Sequence, residues 1–204
     1  MSYTSSADIV SYTLGRQFGD QLAADPFDGL NAEAMAQGLM DTLSGKANPI
    51  DQAAMQDAFQ EINDVMMAKQ AEKAKEAAAE GEAFLMENAK KDNVVVLESG
   101  LQYEILVEGN GEKPKADSVV STHYHGTLID GTVFDSSVER GQPAEFPVNR
   151  VIAGWTEALQ LMPVGSKWRL TIPYDLAYGE QGSSGAIGPY QTLVFEVELL
   201  GIAS

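Results

Sequence analysis

A long run without proline, from Asp51 to Lys91, most constrains how this chain can fold. It is dominated by Ala, Glu, Lys, Gln and Met, which favour helix, and its single glycine is Gly81. We therefore predict one long helix, which would extend roughly 60 Å and exceed the width of a compact domain of this size. Such a helix separates the chain into a part before it and a part after it.

The apolar residues of this run are unevenly spread. The first third carries them four and three positions apart, as Met55, Phe59, Ile62 and Met66, which predicts a packed face. Large apolar residues are absent from 69 to 82, which predicts a solvent-exposed stretch. Alternatively, Gly81 divides the run into two helices folded on each other. Because glycine costs only about 1 kcal/mol in a helix interior, the continuous helix is favoured.

Two shorter amphipathic helices are predicted before the long one. Residues 6–24 place Val10, Leu14, Phe18 and Leu22 on one face. Residues 31–43 begin at Asn31, a favourable N-cap, and carry Met35, Leu39 and Leu43 on one face. Two helices this short bury too small a fraction of their surface to form a core alone. They therefore need another part of a protein to pack against.

The pattern changes to β structure after Asn93. Alternating or β-branched segments at 94–98, 101–107, 118–129, 132–135, 167–172 and 192–200 predict strands, and a short helix is predicted around Trp155. The fold class predicted is therefore α+β, with an antiparallel sheet of about five strands wrapped on one short helix. The glycine-containing loop 174–191 is long for a compact domain, which favours a functional role.

Charge and composition narrow the function classes. With 30 acidic and 13 basic residues the net charge is -17, which argues against nucleic acid and anionic membranes as partners. Cysteine is absent, which excludes disulfides and thiolate ligands. No apolar run reaches the roughly 20 residues of a membrane span, and no signal-peptide pattern opens the sequence. We expect a soluble cytoplasmic protein, or a periplasmic one if a signal has been removed.

Aromatic residues from separate elements are expected to meet on the sheet face that the short helix covers. They are Tyr124, Phe134, Phe146, Trp155, Tyr178 and Phe195. The pattern allows two interpretations, a hydrophobic core or a pocket with the Trp155 indole as its floor. His123 and His125 share a strand face, but no third metal ligand is identifiable, and Asp135 with Glu139 lacks the partners of a hydrolase. We therefore predict no metal.

Six blocks in the second half resemble one known family. They are Val120-Ser-Thr-His-Tyr-His-Gly-Thr-Leu, Gly131-Thr-Val-Phe-Asp-Ser-Ser, Val151-Ile-Ala-Gly-Trp, Met162-Pro-Val-Gly-Ser-Lys, Leu176-Ala-Tyr-Gly and Thr192-Leu-Val-Phe-Glu-Val-Glu-Leu. Together they resemble the FKBP-type peptidyl-prolyl cis-trans isomerases. The segment Ser11-Tyr-Thr-Leu-Gly-Arg-Gln-Phe-Gly-Asp-Gln-Leu resembles the helical region of the bacterial macrophage-infectivity-potentiator-like subgroup.

The resemblance implies an enzyme that isomerises X-Pro bonds in folding chains without a cofactor, with chaperone-like holding of clients. It implies a homodimer joined through the N-terminal helices, proline-containing unfolded polypeptides as partners, and inhibition by macrolides such as tacrolimus and rapamycin. The expected domains are a helical dimerisation domain (1–50), a linker helix (51–93) and an isomerase domain (94–204). The alternative is a proline-recognition or assembly module in which catalysis is incidental.

The resemblance also implies the site residues. The expected catalytic residues are Tyr124, Phe134, Asp135 and Tyr178, and the expected substrate-binding residues are Arg140, Phe146, Val151, Ile152, Trp155, Ile187 and Phe195. Two positions depart from the family pattern. Ala144 stands where single-domain eukaryotic members carry a large aromatic, and Gly188 precedes Pro189 where two prolines are common. Both departures concern specificity.

Overall fold

The computed structural model describes residues 3–24, 26–183 and 185–203. The chain forms two compact units, Met1–Gln70 and Ala71–Ser204. The first contains helices α1 (Ser6–Ala24) and α2 (Ala32–Leu43), and the boundary between the units falls inside helix α3 (Gln52–Asn88). Division into three domains at residues 50 and 93 stays a prediction.

Helices α1 and α2 lie close to their predicted bounds. Asn31 caps α2, because its side-chain oxygen accepts hydrogen bonds of 3.0 Å from the N–H groups of Glu33 and Ala34. An ion pair of 2.7 Å joins Lys69 of α3 to Asp28. Neither α1 nor α2 has a buried residue among those described, so their apolar faces remain exposed.

Helix α3 is continuous through Gly81, as predicted from the proline-free run, and ends at Asn88. The expectation that residues 69–82 are fully exposed is wrong at Ala77 and Gly81, which are both buried. These residues are small, so they pack by close approach of the helix backbone and leave no apolar stripe in the sequence. The C-terminal part of α3 therefore belongs structurally to the second unit.

The second unit is built on a seven-stranded antiparallel sheet. Its strands are β1 (Val94–Val96), β2 (Gln102–Val107), β3 (Val119–Leu128), β4 (Val133–Ser136), β5 (Ala144–Pro147), β6 (Lys167–Ile172) and β7 (Leu193–Ala203). The order across the sheet is β1, β2, β6, β7, β3, β4, and β5 also pairs with β3. Strand β3 is long enough for β5 to pair with its first half and β4 with its second.

The α+β class predicted from the sequence is confirmed, with seven strands in place of about five. Strand β5 was not predicted, because it has four residues and ends in Pro147, a residue that sequence patterns place outside strands. The other six strands, including the short β1 and β4, lie at the six segments predicted from the sequence. Within the described residues, no helix combines the length and apolar character needed to cross a bilayer.

Helix α4 (Ala153–Leu161) covers one face of the sheet and encloses the core. A Cβ atom on Gly154 would lie 2.6 Å from the Cγ2 atom of Ile172 on β6, so only glycine permits this approach. The approach buries the neighbouring Trp155 among the residues of the sheet.

Candidate active site

A cavity of about 640 Å³ opens beside Trp155 in the second unit. Three rings meet the indole edge to face, at centroid distances of 5.4 Å for Tyr124, 5.9 Å for Phe146 and 5.3 Å for Phe195. Such arrangements match the negative face of one ring to the positive edge of another. The indole is therefore fixed in orientation as part of the cavity lining.

Phe134 and Phe195 form a further edge-to-face pair, with centroids 5.3 Å apart. A Cβ atom on Gly126 of β3 would lie 2.8 Å from atoms of both rings. The absence of a side chain at Gly126 thus lets Phe134 and Phe195 lie against the sheet.

A polar group borders this aromatic lining. The Tyr124 hydroxyl donates a hydrogen bond of 2.5 Å to Oδ2 of Asp135, and Arg140 donates one of 2.7 Å from Nη2 to the same hydroxyl. Arg140 also pairs through Nη1 with Oδ1 of Asp135, and its guanidinium lies 5.6 Å from the centroid of the Tyr124 ring. One arginine therefore holds both the phenol and the carboxylate.

These contacts set the charge states. Burial alone would raise the pKa of Asp135, but the hydrogen bonds from Tyr124 and Arg140 and the positive charge of Arg140 outweigh it, so the pKa is lowered. Burial, and then the hydrogen bond to Asp135, raise the pKa of Tyr124. At neutral pH the site therefore carries an ionised carboxylate beside a protonated phenol.

The loop 173–191 supplies the opposite rim of the cavity, including Tyr178 and Ile187. Its backbone is cross-linked by hydrogen bonds from Gly179 N–H to the Tyr174 carbonyl (2.8 Å) and from Tyr190 N–H to the Gly179 carbonyl (3.1 Å). Burial, followed by the charge of Asp135, raises the pKa of Tyr178, so its hydroxyl remains a hydrogen-bond donor.

The start of helix α4 lines the floor of the cavity with Val151, Ile152 and Trp155. Ile152 is the N-cap residue, so its N–H lies outside the hydrogen-bonding pattern of the helix. A hydrogen bond of 2.7 Å from the Thr156 hydroxyl to the Val148 carbonyl ties the preceding turn to the helix.

All predicted site residues except Arg140 line this cavity, and Arg140 contacts two of them. The roles assigned to them stay predictions. Four further lining residues were not predicted, namely Arg150, Ser183, Gly185 and Ala186. Arg150 directly precedes the Val151 block, and this position was the one feature of the sequence that could have indicated its place in the lining. Ala144 lies on β5 against the core, and the described lining residues do not include it.

The two histidines of β3 make local contacts. His123 Nδ1 lies 3.1 Å from the Ser137 hydroxyl, and His125 Nδ1 lies 3.0 Å from that of Ser136. Across the part of the chain that the structure describes, no three His, Cys, Asp or Glu side chains are grouped to hold a metal ion.

Comparisons with known proteins identify the family. The family model for FKBP-type peptidyl-prolyl cis-trans isomerases matches residues 110–200, and the model for the domain amino terminal to that isomerase matches residues 7–105. The chain is 52% identical over 192 residues to the FKBP-type 22 kDa peptidyl-prolyl cis-trans isomerase of Escherichia coli strain K12, which covers 94% of this chain and 93% of that protein.

Two other similarities span almost the whole chain. It is 43% identical over 205 residues to the outer membrane protein MIP of Legionella longbeachae, covering 98% of this chain and 88% of the relative. The crystal structure of FkpA from Escherichia coli superposes with a TM-score of 0.72 at 32% identity and covers 98% of both chains. The resemblance found in the sequence blocks is confirmed: the chain belongs to the FKBP-type peptidyl-prolyl cis-trans isomerases.

Proposed function

We propose that the cavity beside Trp155 binds the prolyl ring of X-Pro segments in folding chains and accelerates their isomerisation by stabilising the twisted amide without covalent chemistry. Rotation about an X-Pro bond must overcome a barrier of about 20 kcal/mol that arises from amide resonance. No bond is broken, so catalysis requires only that the twisted amide bind more tightly than the planar one. The observation that carries the proposal is the aromatic cavity bordered by an ionised carboxylate.

The apolar lining supplies the first part of this differential binding. Trp155 is the floor and Phe134, Phe146 and Phe195 are the walls around the pyrrolidine ring, with Val151 and Ile187 completing the contact. A substrate carbonyl that enters this lining loses water, and the loss disfavours the planar, more dipolar amide.

Polar groups at the rim supply the second part. The Ile152 N–H and the Tyr178 hydroxyl hold substrate carbonyl groups, and the Asp135 carboxylate polarises the twisted amide. Arg140 and Tyr124 keep Asp135 in place through the hydrogen bonds described above. These roles need groups that stay fixed as the amide rotates, and the paired contacts of Arg140 favour such rigidity.

A refolding assay limited by proline isomerisation tests this proposal. Wild type is expected to accelerate refolding, and Phe134→Ala to lose most of the acceleration because one wall is removed. Val138→Ala is the matched control, since Val138 is exposed outside the cavity. Equal refolding rates with wild type and with Phe134→Ala would show that the prolyl ring does not bind in this cavity.

We also propose that two chains associate through α1 and α2 and hold client chains between them. Large apolar residues of both helices are exposed, namely Ile9, Val10, Leu14, Phe18, Met35, Leu39, Met40 and Leu43. Gly15 and Gly19 on α1 have open space where a side chain would stand, so another helix can approach closely. Exposed apolar surface of this extent favours an interface with a second copy.

Tacrolimus and rapamycin are proposed to occupy the same cavity and to inhibit competitively. The cavity volume of about 640 Å³ lies in the range of small-molecule sites, roughly 300–1,000 Å³. A competition experiment with a prolyl peptide tests this, and inhibition that is independent of peptide concentration would contradict it.

The cellular location is proposed as cytoplasm or periplasm. The Legionella longbeachae relative is named an outer membrane protein, which favours the cell envelope. Fractionation of cells that express the chain from its native gene decides between the compartments.

A further inference from the structure

Both ends of the cavity loop 173–191 are anchored on helix α3. Thr171, near the end of β6, precedes the loop, and Thr192, just before β7, follows it. Ile172 and Leu193 pair across the two strands and close the base of the loop. The loop between these anchors carries Tyr178 and Ile187 into the cavity lining.

The first anchor is a buried polar cluster. Asn88 of α3 donates hydrogen bonds from Nδ2 to Gln102 Oε1 (2.8 Å) and to Thr171 Oγ1 (3.3 Å). Gln102 in turn donates a hydrogen bond of 2.9 Å to the Leu85 carbonyl of α3. Asn88, Gln102 and Thr171 are all buried, so the cluster fixes the end of α3 against β2 and β6.

The second anchor is a close contact. A Cβ atom on Gly81 would lie 2.5 Å from Oγ1 and 3.2 Å from Cβ of Thr192, which is 1% exposed. The space between α3 and Thr192 therefore does not admit a methyl group. A displacement of Thr192 would act on the loop before it and on Phe195, three positions further along β7.

We propose that Gly81 is a positioning residue for the isomerase site, because it admits Thr192 against α3 and so sets the loop that carries Tyr178 and Ile187. The proposal rests on the proposed function, in which those two residues contact the substrate. Gly81 itself contacts no substrate. Its effect passes through Thr192, and neither residue is part of the cavity lining.

Gly81→Ala is the central variant. Alanine is the stronger helix former, so the substitution favours α3 locally while its methyl group displaces Thr192. We expect kcat/KM on a prolyl peptide to fall by about threefold to tenfold. The NMR signals of Tyr178 and Ile187 are expected to shift in the free protein, which is a readout independent of activity.

Thr192→Ala provides the rescue, since it removes the hydroxyl that the new methyl group would meet. Alone it should lower kcat/KM less than Gly81→Ala does, and the double variant should be no worse than Thr192→Ala alone. Ala83→Gly is the matched control. It weakens the same helix at an exposed position and should leave kcat/KM and both NMR signals unchanged.

The inference is overturned if Gly81→Ala retains full kcat/KM, if Thr192→Ala gives no rescue, or if Ala83→Gly causes the same loss. If Gly81→Ala does not fold, Thr192→Ala alone tests the inference. Unchanged kcat/KM together with unchanged NMR signals of Tyr178 and Ile187 in Thr192→Ala would overturn the inference. Failure of the proposed function is distinguishable: Phe134→Ala would then keep wild-type activity, whereas the NMR shifts test the anchoring of the loop directly.

Discussion

The Tyr124 hydroxyl donates a hydrogen bond of 2.5 Å to Oδ2 of Asp135 on the adjacent strand. The register of β3 and β4 places Asp135 opposite Gly126, two positions from Tyr124, so the phenol reaches the carboxylate diagonally. Arg140 binds both groups from the solvent side. The orientation of the carboxylate is therefore set by the strand pairing and by one side chain from the following turn.

Asp135→Asn is expected to lower kcat/KM on prolyl peptides by about tenfold or more, because the proposed polarisation of the twisted amide needs the charge of the carboxylate. The amide removes the negative charge and leaves Arg140 without its ion partner. Glu139→Gln is the control, because it neutralises an exposed carboxylate on the turn that follows β4. An equal loss in both variants would show that the effect comes from net charge alone.

The pH profile of kcat/KM should be flat through neutral pH. The lowered pKa of Asp135 means that its contribution is present above the ordinary Asp value of about 4 and is lost as the pH falls through the lowered pKa. The raised pKa of Tyr124 means that its contribution is present below about 10 and is lost as the pH rises through the raised value. Initial rates between about pH 5 and 9 measure this. A midpoint near neutral pH contradicts it.

Gly126→Ala should reduce both stability and activity. The new methyl group would lie 2.8 Å from the rings of Phe134 and Phe195, and overpacking of this kind costs about 1–3 kcal/mol. Denaturant unfolding measures the first effect and the peptide assay the second. Gly201→Ala, on strand β7 with nothing within 4 Å, is the control and should be close to neutral. Wild-type activity for Gly126→Ala would show that the cavity tolerates moved rings.

Asn88→Ala is expected to lower the free energy of unfolding by about 1–3 kcal/mol, because Gln102 and Thr171 lose a buried donor. Lys90→Ala is the comparison on the same turn, since its ion pair with Glu87 is exposed to solvent and contributes little to stability. Denaturant unfolding monitored by tryptophan fluorescence measures both. Similar losses of unfolding free energy in the two variants would show that the buried hydrogen bonds of Asn88 do not stabilise the protein.

Phe18→Glu should convert a dimer to a monomer, since the Phe18 side chain is exposed on α1 and a charge there would be buried by a second copy. Sedimentation velocity measures the mass of both proteins. Glu33→Gln on α2 is a conservative surface control that should retain the wild-type mass. A monomeric wild type would exclude association through these helices.

Much of the fold could be predicted because its signals are local. Asn31 marks the start of α2, and the proline-free run marks α3. The docking of α3 could not be predicted, because Ala77 and Gly81 pack through their small size and the contact of Gly81 with Thr192 joins positions far apart in the chain. Strand β5 was missed for a similar reason, since its four residues are defined by pairing with β3.

The residues of the aromatic cavity could be predicted from the sequence, but the sequence did not show whether they form a solid core or line a pocket. In the structure, both interpretations hold. Tyr124, Trp155 and Phe195 belong to the buried core and also line the cavity. Contributions from Ser183, Gly185 and Ala186 escaped prediction, because these small residues enter the lining through the course of the loop backbone.

The central position of β7 determines when a newly made chain can act. This strand lies between β6 and β3 and carries Phe195, yet it is the last strand in the sequence. Until residues 193–203 have paired with β6 and β3, the sheet behind Trp155 and Tyr178 stays divided into two parts. A newly made chain therefore completes its cavity only when β7 has paired with both neighbouring strands.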